Sequence, residues 1–155
     1  MQTFLPYPSF ARSAAVLDPR RLGKQRVEAL QILRAITRPD YGWQHHPAVV
    51  MWRGHGEALL AYGAAVCEEW CRRGSPDTCL EQMRWEVGID APRPQRELQL
   101  AGALPPWLGR RAVHRSHRSA LVRKHPDWYR PRFPDVPDDL PYVWPVPADA
   151  EGRPR

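Results

Sequence analysis

The sequence predicts an all-α fold: one compact helical domain over residues 1–146, with its N-terminal segment packed on the body, and a Pro-rich C-terminal tail that is disordered over 147–155. Three observations lead there. Apolar residues recur at helical spacing in several stretches. Those stretches begin and end with helix-capping chemistry. No stretch alternates apolar and polar residues over the length of a strand, and no internal repeat is present. At 155 residues the chain is long enough to bury a core as one unit.

The first segment, MQTFLPYPSFARSAAVL, is apolar and aromatic with two prolines, a composition that packs rather than frays. LDPRRLG then opens a helix, because Asp18 is a good N-cap and Pro19 suits the first helical position. Leu22, Ala29, Leu33 and Ile36 share its core face, and the helix should end near Thr37, before the turn chemistry of RPDYG. A second helix is predicted from Pro47 to Arg73, closed by Gly74, with an apolar stripe of Met51, Leu59, Tyr62, Val66 and Trp70; Gly54 and Gly56 weaken it locally. A third, Thr78 to Val87, begins with a capping-box pattern, Thr78 with Glu81. GIDAPRPQRELQLAGALPPW is loop-rich and carries a short helix near its middle. A basic fourth helix runs from Arg110 to Lys124, and the residues after HPDWYRPRFP read as a wrapping tail.

Lys and Arg number 23 against 17 Asp and Glu, a net charge of +6, and the cations crowd Arg20 to Arg26, Arg110 to Lys124, and Arg130 with Arg132. Such a surface favours polyanions, nucleic acid before membrane. Seven Trp and five Tyr lie among the charges; they either stack bases or, as aromatics more often do, fill core. Cys67, Cys71 and Cys79 make no even disulfide framework, and the first two read as small buried hydrophobes on a helix. No apolar run is long enough to span a bilayer and no signal-peptide core is present. A soluble, cytoplasmic, nucleoid-associated protein with no obligate protein partner is expected.

In RRLGKQRVEALQIL, Glu28 is the one carboxylate among four cations, Arg20, Arg21, Lys24 and Arg26. Arg21, Gln25 and Glu28 form one polar stripe beside the core face, which puts Glu28 at the margin between interior and solvent, where substrate can reach it. The plainer alternative is an intrahelical ion pair with Lys24, worth ~0.2–0.5 kcal/mol. In QHHPAVVMWRGHGE, His46, Arg53 and Glu57 share a stripe opposite the apolar one and could line a cleft; His46, before Pro47, could equally serve as a helix cap. His45 reads as a surface residue and His55 as a hydrogen-bonded core histidine. In HRSHRSALVRKHP, Arg115, Arg118, Arg123 and Lys124 suit phosphate contacts, with Ser116 and Ser119 as neutral donors, or else form a solvated basic face. His114 and His117 lie one turn apart, but with no HExxH pattern and no carboxylate in that helix no metal is expected. A glycine-rich phosphate loop, a GxSxG elbow and a CxxC pair are all lacking, which removes the commonest nucleotide-cofactor and hydrolase mechanisms, and no cofactor is expected.

The order LDPRRLGKQRVEALQIL, HHPAVVMWRGHGEALLAYG, EEWCRRG, PPWLG, HRSHRSALVRKHPDWY resembles the pyrimidine-dimer DNA glycosylase / AP lyase family typified by a phage enzyme, and more closely a bacterial branch of it, from the N-terminus to about Tyr129. The resemblance implies an all-α domain acting on damaged or abasic duplex DNA. It implies that the N-terminal α-amine attacks the sugar C1′, displaces the base and forms an imine, after which β-elimination cuts the strand. The matching carboxylate is Glu28; Arg21, Gln25, Arg26, His46, Arg53, His117, Arg118 and Lys124 become candidate substrate- or DNA-binding residues. An α-amine titrates at about 7.7–8.0 against about 10.4 for Lys, so far more of it is nucleophilic near neutral pH. The chain departs from the phage pattern at Gln2, where the phage enzyme exposes a small residue after losing its initiator Met. Either Met1 or Gln2 carries the amine, or the lyase step is absent and Glu28 orients water in a purely hydrolytic glycosylase. A non-catalytic nucleic-acid-binding protein and a glycosidase for small nucleoside-like substrates are the alternatives.

Overall fold

The computed structural model describes residues 1–145, among which the chain forms eight helices and no strand. They are α1 (Phe10–Val16), α2 (Pro19–Thr37), α3 (Pro47–Trp52), α4 (Gly56–Arg72), α5 (Cys79–Val87), α6 (Gln95–Leu100), α7 (Arg111–Lys124) and α8 (Pro126–Tyr129). The boundary expected between domain and tail at 146/147 lies outside the described residues.

Helix α2 is the axis of the fold: α3, α4 and α5 pack on it, α1 and α6 pack on α4, and α8 folds back against α7. Its start follows the expected chemistry. The Asp18 side chain accepts from the Arg21 backbone N–H with Pro19 in the first turn. The Tyr129 hydroxyl donates to the Asp18 carboxylate and accepts from the Asp18 N–H, which locks the cap from the far end of the chain. Leu22, Ala29 and Leu33 are wholly buried, as are Leu59, Tyr62 and Val66 on α4. Phe10 packs edge-on to Tyr62 at 5.7 Å and Trp52 edge-on to Trp107 at 4.9 Å, so the aromatic centre of the core joins α1, α3, α4 and the loop before α7. Trp43 and Trp85, by contrast, are exposed.

Four local expectations need correction. The helix read as Pro47 to Arg73 is two helices, because Gly54 adopts φ 82°, a left-handed conformation that turns the chain out of α3 before α4 begins. Thr78 makes no capping bond; Asp77 caps α5 instead, accepting from the Cys79 and Leu80 N–H groups. The N-terminal segment contains an unexpected helix, α1, whose Ser9 cap follows both prolines, so neither interrupts it. Cys67 is buried, whereas Cys71 is exposed. Beyond α8 the chain runs back over α7 as a strap: Leu140 N–H donates to Ser119 Oγ, and Val143 N–H to Ser116 Oγ. Among the described residues no helix is long and apolar enough to cross a membrane.

Candidate active site

The first residues form an extended peptide with no neighbouring strand, so its backbone groups must find side-chain partners. Helices α2, α4 and α7 supply them, and α3 adds a bond to a side chain. Gln2 N–H donates to Glu28 Oε2 at 3.2 Å and Phe4 N–H to Gln25 Oε1 at 2.8 Å, both from α2. Gln25 Nε2 donates to the Gln2 carbonyl at 2.9 Å and to Glu28 Oε2 at 3.0 Å. The Tyr62 hydroxyl of α4 sits between the Phe4 carbonyl and Gln25 Oε1, and Trp52 of α3 donates to Thr3 Oγ1. From α7, His117 Nδ1 accepts the Leu5 N–H at 2.9 Å and His114 Nδ1 meets the Leu5 carbonyl at 2.8 Å. His114 Nε2 accepts from Gly109 N–H, so its proton resides on Nδ1 and is donated to Leu5.

This lacing brings the chain's first residues to the Glu28 carboxylate. Met1, Gln2, Phe4, Gln25 and Glu28 line a cleft of about 330 Å³ whose remaining walls are Arg20, Arg21, Lys24, Lys124 and Tyr142. The Glu28 side chain is mostly buried, and Lys24 Nζ stands 3.7 Å from its Oε1 while remaining largely in solvent. The ion pair and the cleft therefore coexist: Oε2 is held by Gln2 and Gln25, and Oε1 faces the cationic side. Among the described residues no carboxylate comes within 4.0 Å of the α-amine of Met1.

Burial pushes Asp18 up, but the Tyr129 hydroxyl and Arg21 outweigh it and hold this carboxyl below its ordinary range. Arg21 is thus half spent on the α2 cap. Burial, helped by the nearby α-amine, lowers His46, while Glu28 pulls it the other way, so this ring lies within electrostatic reach of both. Burial with His114 alongside drives His117 down to about 3. Its ring is a neutral acceptor in the core.

Of the residues singled out from sequence, Met1, Gln2, Arg21, Gln25, Glu28 and Lys124 meet in the cleft. Gln25 meets it as a support rather than a binder, since its amide oxygen and nitrogen are both committed to protein groups. His46 caps α3 through Nδ1 and lies between the rings of Trp43 and Trp144. Four others are directed elsewhere. Arg26 pairs with Asp77 and covers the Trp70 ring. Arg53 donates to the Gln44 carbonyl where α3 ends, and Glu57 pairs with Arg93, so the expected His46–Arg53–Glu57 stripe does not exist. His117 is wholly buried, and Arg118 is partly buried in reach of Tyr7, Arg111 and Arg115. Ser116 and Ser119 hold the strap instead of phosphate, and Arg123 donates to the Asp138 carbonyl. His55 makes no capping bond. Among the described residues no three His, Cys, Asp or Glu gather as a metal site. Sequence reasoning missed Tyr142 and the support given by Tyr62; no helical spacing or motif signals either.

A helical domain that lays its own first residues against a sheltered glutamate, in a cleft walled by cations, has the charge to receive a polyanion. The particular family follows from comparison: a model of the family described as pyrimidine dimer DNA glycosylase matches residues 1–83, more than half of the chain, and the chain belongs to that family. The match takes in the N-terminal peptide and α1 through α4 and ends within α5, short of the Tyr129 to which the motif order extends. No curated protein and no solved structure matches the chain.

Proposed function

We propose that this protein is a DNA glycosylase of the base-excision type with an AP lyase step, in which the N-terminal α-amine is the nucleophile and Glu28 the catalytic carboxylate. The observation that carries the proposal is the 3.2 Å contact between the Gln2 nitrogen and Glu28 Oε2. If Met1 is removed, that nitrogen becomes the α-amine, already within hydrogen-bond reach of its partner acid. If Met1 is retained, the amine lies one residue away in the same cleft, of which Met1 is a wall. Arg20, Arg21, Lys24 and Lys124 suit the flanking phosphates and favour a DNA strand over a neutral nucleoside. The amine attacks C1′, the base departs, and an imine to the opened sugar allows β-elimination; Glu28 accepts and returns protons along this path and offsets positive charge that develops on the sugar. The damaged pyrimidine is brought to the cleft by kinking or flipping, at a cost of a few kcal/mol that phosphate contacts offset.

Borohydride trapping tests this directly. Duplexes carrying a cyclobutane pyrimidine dimer or an abasic site should give a covalent protein–DNA adduct. Residues added ahead of Met1 should abolish it, and Glu28→Gln should slow its formation by about 10²–10⁴-fold, the usual weight of a positioned acid–base group. Intact mass of the protein then says which residue carries the amine. An adduct that persists in both variants sinks the assignment, and DNA binding without turnover in the wild type returns the protein to the class of non-catalytic binders.

A further inference from the structure

We propose that Tyr142, entering the cleft from the C-terminal strap, hydrogen-bonds the departing pyrimidine during glycosidic cleavage, with Gln2 as the positioning residue that holds its hydroxyl. This rests on the glycosylase reading and names a group that lies outside the family match, which ends at residue 83.

The strap is fastened on both sides of Tyr142. Leu140 and Val143 donate their N–H groups to Ser119 and Ser116, both buried, and Ser116 gives its own proton to the Val113 carbonyl, so its oxygen is left to accept. The Tyr142 ring stands edge-on to His117 at 5.9 Å and packs on Trp144 at 5.3 Å. Its phenol lines the same cleft as Met1 and Glu28. Burial pushes this phenol above its ordinary range, so near neutral pH it keeps its proton and can donate it.

Gln2 supplies the second observation. The residue is 5% exposed, its Oε1 accepts from the Thr3 N–H, and its buried Nε2 makes no hydrogen bond of ordinary geometry, although the side chain lies close enough to Tyr142 to draw that phenol's titration down against the effect of burial. An unspent buried donor is costly, and evolution rarely leaves one without a use. Directed at the Tyr142 oxygen, it leaves the phenol proton free to point into the cleft. When the N1–C1′ bond breaks, its electron pair goes to the pyrimidine and spreads over N1 and O2, while the amine lone pair makes the new bond to C1′. The proton lost by the amine passes to Glu28 and then to the departing base. Tyr142 keeps its own proton and stabilises the charge on O2, as oxyanion donors do in acyl transfer.

Tyr142→Phe keeps the ring packing and removes only the hydroxyl. Under single-turnover conditions on a dimer-containing duplex, its rate of glycosidic cleavage, read as strand scission after alkali, should fall at least tenfold. Affinity for the same duplex carrying a tetrahydrofuran abasic analogue, which has no leaving base, should fall less than threefold. Equal losses in rate and affinity, or an unaltered rate, overturn the role of Tyr142 while leaving the glycosylase reading intact. Wild-type protein that cuts no glycosidic bond, leaving the strand intact after alkali, overturns that reading and this proposal together.

Discussion

His117 is the histidine whose titration burial shifts furthest, and through it pH acts on the site. It is buried as a neutral acceptor for Leu5 N–H and is held at about 3, whereas in the unfolded chain it titrates near ~6.5. Between those values the unfolded state takes a proton that the folded state refuses. The stability it contributes is therefore complete above ~6.5 and is lost as pH falls toward 3, at up to ~1.4 kcal/mol per pH unit. His117→Asn, which can still accept from Leu5 but does not titrate, should give a shallower fall in Tm between pH 7 and pH 5. Parallel Tm profiles for the two proteins would refute this account. Glu28 was legible in the sequence because helical spacing places it at the edge of the core. The roles of Gln25 and His117 were not, since their partners Phe4 and Leu5 lie 21 and 112 residues away along the chain, beyond any periodicity.

At the scale of elements, most helices could be read from caps and apolar spacing. Asp18 with Pro19 marks α2, and the basic run marks α7 within a residue. The α3–α4 break could not be read that way, because the apolar stripe from Met51 to Trp70 continues across it while the backbone does not. What decides the matter is the sign of φ at Gly54, a property of one residue's backbone. The break lets Arg53 turn back to Gln44 and leaves His46 at the start of a short helix beside the cleft. No atom lies within 4 Å of where a Gly54 side chain would project, so Gly54→Ala tests conformation alone. It should cost about 1 kcal/mol, the usual penalty for an L-residue held left-handed. Denaturant titration would measure it, and an unchanged midpoint would show that the linker relaxes.

For the whole molecule, net charge announced a polyanionic partner, but only the fold separates cations that face the cleft from those consumed within the protein. Arg26, Arg53 and Arg123 belong to the second group, and Arg20, Lys24 and Lys124 to the first. Lys24→Ala should reduce the slope of log Kd against log salt for duplex DNA by about 0.9, one phosphate contact. Arg53→Ala should leave that slope in place, and fluorescence anisotropy across a salt series compares them. The lacing of the N-terminal peptide also carries a consequence in time. Its residues leave the ribosome first, yet Leu5 waits for His114 and His117, and Asp18 for Tyr129, each more than a hundred positions later. Contacts of such long range form late in folding. A nascent chain that has not yet made α7 lacks the anchors of Leu5, and its first residues have only α2, α3 and α4 to hold them beside Glu28. The proposed nucleophile and its acid therefore gain their full support only as the last helices close.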